Sequence, residues 1–172
     1  MPMFRRTLSI VALLAIAVWL GGLIALGAIA APIVFATVSY PSSADAMTLV
    51  FRRFDAVAMG CAAIVLATEA LRGAGGIGGA GFVRADHARS FVSVMAAAAA
   101  VYEGIKVSPR IAALHAAGAI RGVDSAGLEL ARLHNVAEEC GKAQILLLAV
   151  VIALHGISLS LAPSGAPKNE GP

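Results

Sequence analysis

The polarity of the chain alternates between long apolar runs and short polar breaks. After a basic start at Arg5 and Arg6, residues 7–40 contain no charged side chain. Pro41-Ser42-Ser43 interrupts the run, and Ser42 with Asp45 three residues on reads as an approximate capping box. A second apolar stretch follows to Leu71. The Gly-rich segment 73–81 reads as a flexible turn. A third run, from about Arg84 to Ala117, contains Pro109. Gly118 to Asp124 makes the next turn, Asp124 or Ser125 caps a fourth helix, and that helix continues to about Leu161. The pattern predicts four membrane spans at about 7–39, 54–71, 89–109 and 140–161. Residues 1–162 then form one transmembrane domain, and 163–172 a polar disordered tail. Pro32 and Pro109 lack an N–H and crowd the preceding turn, so both are expected to bend their spans.

Composition agrees with that reading. Of 172 residues 59% are hydrophobic and 13% charged, against about 25% charged in soluble domains. That excludes a cytosolic enzyme, a disordered tail and a disulfide scaffold. The net charge of +3 needs no nucleic-acid partner, since Arg and Lys at span ends give the same sum. A cleaved signal peptide fits poorly, because the first apolar run far exceeds an h-region of about 7–15 residues. The expected fold class is all-α: an integral membrane four-helix antiparallel bundle. Helices 1/2 and 3/4 are expected to project beyond the bilayer on one face. There Leu114, Leu128, Leu130 and Leu133 would pack against Leu49, Val50 and Phe54. The lipid bilayer is the first partner; a membrane-protein partner or a second copy of the chain is the other. The plasma (inner) membrane is the expected location.

Short connections make neighbouring helices antiparallel, so residues equidistant from a turn share a level. Around the turn near Gly122, Glu103 falls level with Lys142 and Lys106 with Glu139. Both helices carry Glu-x-x-Lys, which allows two crossed ion pairs. Charge inside a span is costly and is by default a functional-site hypothesis. The buried cluster Glu103, Lys106, Glu139 and Lys142 is therefore either a register clamp or a pocket. Around the Gly-rich turn, Arg72 falls level with Asp86 and Glu69 with Arg89; these read as exposed span-end pairs of little energetic weight. Basic residues divide almost evenly between the two faces. Orientation therefore rests on Lys106 and Lys142 being drawn into the bundle, which puts the termini in the cytoplasm.

The histidines offer a second chemistry. His87 and His155 come to neighbouring levels and are candidate haem ligands. His115, His134 and Glu138 are candidates for a divalent metal. Haem or a divalent metal is the alternative to a protein without cofactor. No nucleophile constellation is visible, so the chain reads as non-enzymatic: an accessory subunit or a module handling a small solute or an ion.

Several short motifs recur in a familiar order. Trp19-Leu20-Gly21-Gly22 is followed by Ala31-Pro32-Ile33-Val34-Phe35, then by Pro109-Arg110-Ile111 and Leu133-His134. This order resembles the transmembrane protein 205-like family, a four-span domain of unknown function. The resemblance implies a four-helix membrane bundle and no established reaction. It singles out Trp19, Gly21, Gly22, Pro32, Phe35, Pro109, Arg110 and His134. Glu138-Glu139-Cys140 departs from the Ser and Asn expected after Leu-His.

Overall fold

Two glycine–proline spacings set the shape of the helices. The computed structural model describes residues 2–74 and 80–160, and all four long helices fall there. The first comprises α1 (Pro2–Ile24), a π-helical turn at Ala25–Ala30 and α2 (Ala31–Thr37). The second is α3 (Ser42–Ala74). The third comprises α4 (Ala80–Tyr102), a π turn at Glu103–Val107 and α5 (Ser108–Ala116). The fourth is α6 (Ser125–Ser160). No strand occurs among the described residues. Most of the Gly-rich segment and the whole of the polar tail lie outside them.

Both π turns end two residues before a proline. A proline inside an α-helix collides with the carbonyl four residues back and offers no N–H. The wider turn changes the bonding: Ala31 N–H goes to Leu26 O, and Ser108 N–H to Glu103 O. Each proline then sits at the start of its next helical piece, where a missing N–H costs least. Where bends are expected at Pro32 and Pro109, the structure has π turns ending at Ala30 and Val107. Each has a glycine five residues before the proline, Gly27 and Gly104.

Helix ends follow sequence chemistry at the α5–α6 connection. Ala119 N–H bonds Leu114 O and Gly118 N–H bonds His115 O, the two bonds of a Schellman ending. Gly118 supplies the required positive φ of 77°. Asp124 caps α6, its carboxylate accepting from Gly127 N–H at 2.7 Å. A side chain on Gly127 would run into Ile120 O. At the start of α3, by contrast, Ser43 and Asp45 N–H groups bond the carbonyls of Ser39 and Pro41. Backbone does there what the capping box was expected to do.

The long helices pack in a ring: the first on the second and fourth, the third on the second and fourth. Ile16, Trp19, Ala62, Val65, Ala96 and Leu148 are at the centre. The alanines keep the helix backbones close, as small residues do in a bilayer. Outward, Val18, Ile33, Phe91 and Leu146 are more than half exposed. A large apolar surface outside and polar groups inside are what a lipid solvent demands. All four helices are long and apolar enough to cross a membrane. A second apolar cluster joins Val107, Ile111, Leu114 and Leu130 between α5 and the start of α6, with Leu133 against it. Leu128, Leu49 and Val50 stay exposed. The apolar stripe of the α5–α6 hairpin therefore closes on itself rather than on residues 49–50. Phe54 turns instead to the main core.

Candidate functional site

The interior holds two polar layers, and each draws on all four long helices. They lie about 20 Å apart along α3, at about 1.5 Å per residue from Asp55 to Glu69. The apolar centre separates them.

The layer beside the α3–α4 connection is internally neutralised. Arg89 on α4 donates from Nε and Nη2 to the two oxygens of Glu69 on α3, at 2.8 and 2.9 Å. Its Nη1 reaches Asp86 at 2.7 Å. The Ser90 hydroxyl donates to Glu69 at 2.8 Å. Arg72 approaches Glu69 at 3.7 Å and hydrogen-bonds Ser9 of α1. His155 of α6 places Nε2 3.3 Å from Arg72 Nη1 and Nδ1 2.9 Å from Val151 O. A guanidinium only donates, so Nε2 accepts and Nδ1–H donates, the arrangement of a neutral imidazole. Two arginines face two carboxylates, and a cavity of about 140 Å³ opens over them. Equal distance from the turn correctly paired Glu69 with Arg89. Instead of an exposed span-end pair they form a buried one, Arg89 being 1% and Glu69 6% exposed.

The layer beside α5 is acidic and incompletely satisfied. Trp19 of α1 donates its indole N–H to Gln144 of α6 at 2.9 Å. Gln144 donates in turn to Glu103 in the second π turn, at 2.6 Å. Asp55 of α3 packs against Gly104, where an added Cβ would stand 3.3 Å from the Asp55 Cβ. The Asp55 carboxylate lies in the field of Glu103 and has the Ser108 hydroxyl beside it. Asp55 is 9% exposed, and its Oδ2 is buried without a hydrogen-bond partner. Exposed Arg52, one turn earlier on α3, contributes positive potential at Asp55.

The four residues expected as a buried cluster separate. Lys142 pairs with Glu138 at 2.8 Å and Glu139 at 3.0 Å on its own helix, and all three side chains are more than half exposed. Lys106 is exposed. Only Glu103 enters the interior, and its partner is an amide. Distance from a turn fixes height and not direction. Gln144 faces inward, so Lys142, about 200° further round α6, faces out. The π turn rotates Lys106 outward in the same way. The ground for choosing an orientation, the burial of both lysines, disappears with it. Glu139 instead borders a groove of about 430 Å³ between α4 and α6, beside Arg132, Asn135 and Cys140.

The histidines do not assemble as expected either. His87 is exposed, and both ring nitrogens of buried His155 are engaged within the bundle. His115 and His134 meet edge to face with ring centroids 5.7 Å apart, while Glu138 is held by Lys142. Among the described residues no group of three or more His, Cys, Asp and Glu side chains could hold a metal ion.

Of the remaining motif residues, Trp19 is fully buried in the acidic layer. Gly22 lies under the Phe54 ring, which an added Cβ would strike. Gly21 has open space around it, and Phe35 is 55% exposed. Arg110 makes a two-pronged pair with Glu129 across the α5–α6 hairpin, at 2.7 and 2.8 Å.

A family model described as Domain of unknown function (DUF4149) matches residues 14–120. The chain belongs to this family. The match takes in Trp19, Asp55, Glu103 and Ser108 but stops before Gln144 and His155. The acidic side chains of the unsatisfied layer therefore lie in the DUF4149 region, and α6 completes that layer from outside it. No curated protein matches the chain, and neither does any solved structure.

Sequence reasoning placed Gln144 with Glu103 but missed Asp55, Ser108 and Trp19 as members of the same site. A signal was present in Gly104-x-x-x-x-Pro109, which marks a broken helix carrying a carboxylate.

Proposed function

We propose that this membrane protein handles a small ion at the Asp55–Glu103 carboxylate pair. The observation that carries the reading is the buried Asp55 Oδ2 without a partner, beside a second carboxylate, Glu103, that accepts from the Gln144 amide. Two acidic groups inside an apolar bundle are expensive as bare anions. A proton or a bound cation removes that cost, and its arrival and departure are then the chemistry of the site. The layer near α3–α4 suits a structural role instead, because its charges balance.

The alanine-rich centre between the layers is closed by Ile16, Val65 and Leu148. The reading is therefore a carrier or sensor and not an open pore. We further propose the narrower kinship with the transmembrane protein 205-like family, on the order of the motifs around Trp19, Pro32 and Pro109.

The test is ion flux in proteoliposomes, read with pH-sensitive and potential-sensitive dyes. Flux above that of empty vesicles, abolished in Asp55→Asn and Glu103→Gln variants that keep wild-type helical circular dichroism, is the expected result. Wild-type protein indistinguishable from empty vesicles, with a spectroscopically silent acidic layer at every pH, overturns the reading.

A further inference from the structure

Resting on that reading, the next question is which ion the acidic layer accepts. We infer that Asp55, Glu103 and Ser108, with a backbone carbonyl freed in the adjoining π turn, form a site for an alkali cation of sodium's class.

The hard donors available there are oxygens. Asp55 contributes the buried Oδ2 that has no partner. Glu103 contributes the carboxylate oxygen not bound to Gln144. Ser108 contributes a hydroxyl held beside Asp55. The fourth oxygen follows from the proline. In the π pattern Ser108 N–H bonds Glu103 O, so the next bond would run from residue 109 to Gly104 O. Residue 109 is proline and has no N–H. The Gly104 carbonyl thus loses its intrahelical donor. Non-helical backbone in a span is tolerated only where protein or a cavity satisfies it. Carbonyls of interrupted spans commonly coordinate small cations.

The donor set also selects among cations. Met59 Sδ lies against Gly104 and the Cys140 thiol lies in the field of Glu103, but two carboxylates, a hydroxyl and a carbonyl make a hard donor set that suits hard cations better than zinc or copper. Four oxygens fall short of the 6–8 that calcium takes, and magnesium demands near-ideal octahedral geometry and dehydrates reluctantly. An alkali cation tolerates a few protein oxygens supplemented by water. Arg52, exposed one turn away, trims the negative field without entering the layer.

The chain carries its own reporter. Trp19 is its single tryptophan, and it is tied through Gln144 to Glu103. Emission from Trp19 should be titrated in the full chain in detergent micelles. Sodium chloride is exchanged for choline chloride at constant ionic strength. A saturable shift with sodium, absent with choline, is expected. Its midpoint should rise at least tenfold in Ser108→Ala and the response should vanish in Asp55→Asn. Arg110→Gln, on the outer hairpin, should leave it unchanged.

Identical flat responses to sodium and choline, in a protein whose Trp19 emission still follows pH, overturn the cation site and leave a proton as the ion handled. A response to calcium chloride alone overturns the alkali assignment. Emission indifferent to salts and to pH overturns both this inference and the function it rests on.

Discussion

Arg89 grips Glu69 with two parallel hydrogen bonds of 2.8 and 2.9 Å, and both side chains are nearly inaccessible. This pair joins the second and third spans, with Arg72, Ser9 and His155 bringing in the other two. Removing one partner of a buried pair leaves the other charge without compensation, at about 3–5 kcal/mol. Arg89→Met should therefore lower the unfolding midpoint in detergent sharply. Glu69→Leu/Arg89→Met should recover much of that loss, because apolar replacement of a whole buried pair is often near neutral. A double variant no better than Arg89→Met would show that Glu69 alone is not what the loss leaves stranded.

Glycine 22 and its neighbour make a matched contrast. The Phe54 ring occupies the space a Gly22 side chain needs, whereas Gly21 has open surroundings. Gly22→Val should destabilise by about 1–3 kcal/mol through overpacking. Gly21→Ala should be neutral or slightly stabilising. Thermal unfolding of the two variants side by side decides whether the α1–α3 contact is as close as the structure has it.

Gln144 holds two groups at once, the Trp19 indole and the Glu103 carboxylate. Gln144→Leu leaves both unsatisfied and should cost about 1–3 kcal/mol per stranded group. Trp19 emission should also shift, a readout that simple loss of packing elsewhere does not share. Unchanged emission in a folded Gln144→Leu protein would contradict the hydrogen-bond chain.

Buried Ser93 has a hydroxyl without a hydrogen-bond partner. Its removal frees the bundle of a desolvated polar atom, so Ser93→Ala should match or exceed wild-type stability, by up to about 1 kcal/mol. A clear loss of stability would point to a water held at Ser93.

The exposed Arg110–Glu129 pair is two-pronged but about half exposed on both sides. Solvent screening leaves such pairs little energetic weight. Arg110→Ala should move the unfolding midpoint far less than Arg89→Met, despite equally short bonds. Equal effects would mean that the α5–α6 hairpin is shielded from water.

Equal distance from a turn placed Glu69 opposite Arg89, because antiparallel helices at fixed rise leave height little freedom. The same arithmetic put Lys142 opposite Glu103 and failed. Height was right in both cases, but Lys142 and Gln144 lie on opposite sides of α6, and both sides carry polar residues there, Glu138, Glu139 and Lys142 on one and Gln144 on the other. In a soluble helix the polar side would have been evident. In lipid, apolar residues line both the outside and the core, so periodicity gives no direction.

By itself, the sequence determined an all-α chain with four long apolar helices, the prolines that interrupt two of them, and the turn from Gly118 to Asp124 with a cap at Asp124 or Ser125. These follow from local physics: hydropathy over a span's length, a missing N–H, and the backbone angles that glycine permits. Only the tertiary structure decided which charges face inward. It buried Arg89 with Glu69, sent Lys106 and Lys142 outward, and brought Asp55 to Glu103 from a helix far away in sequence. That choice depends on rotation about each helix axis, and the π turns and the ring packing together set that rotation.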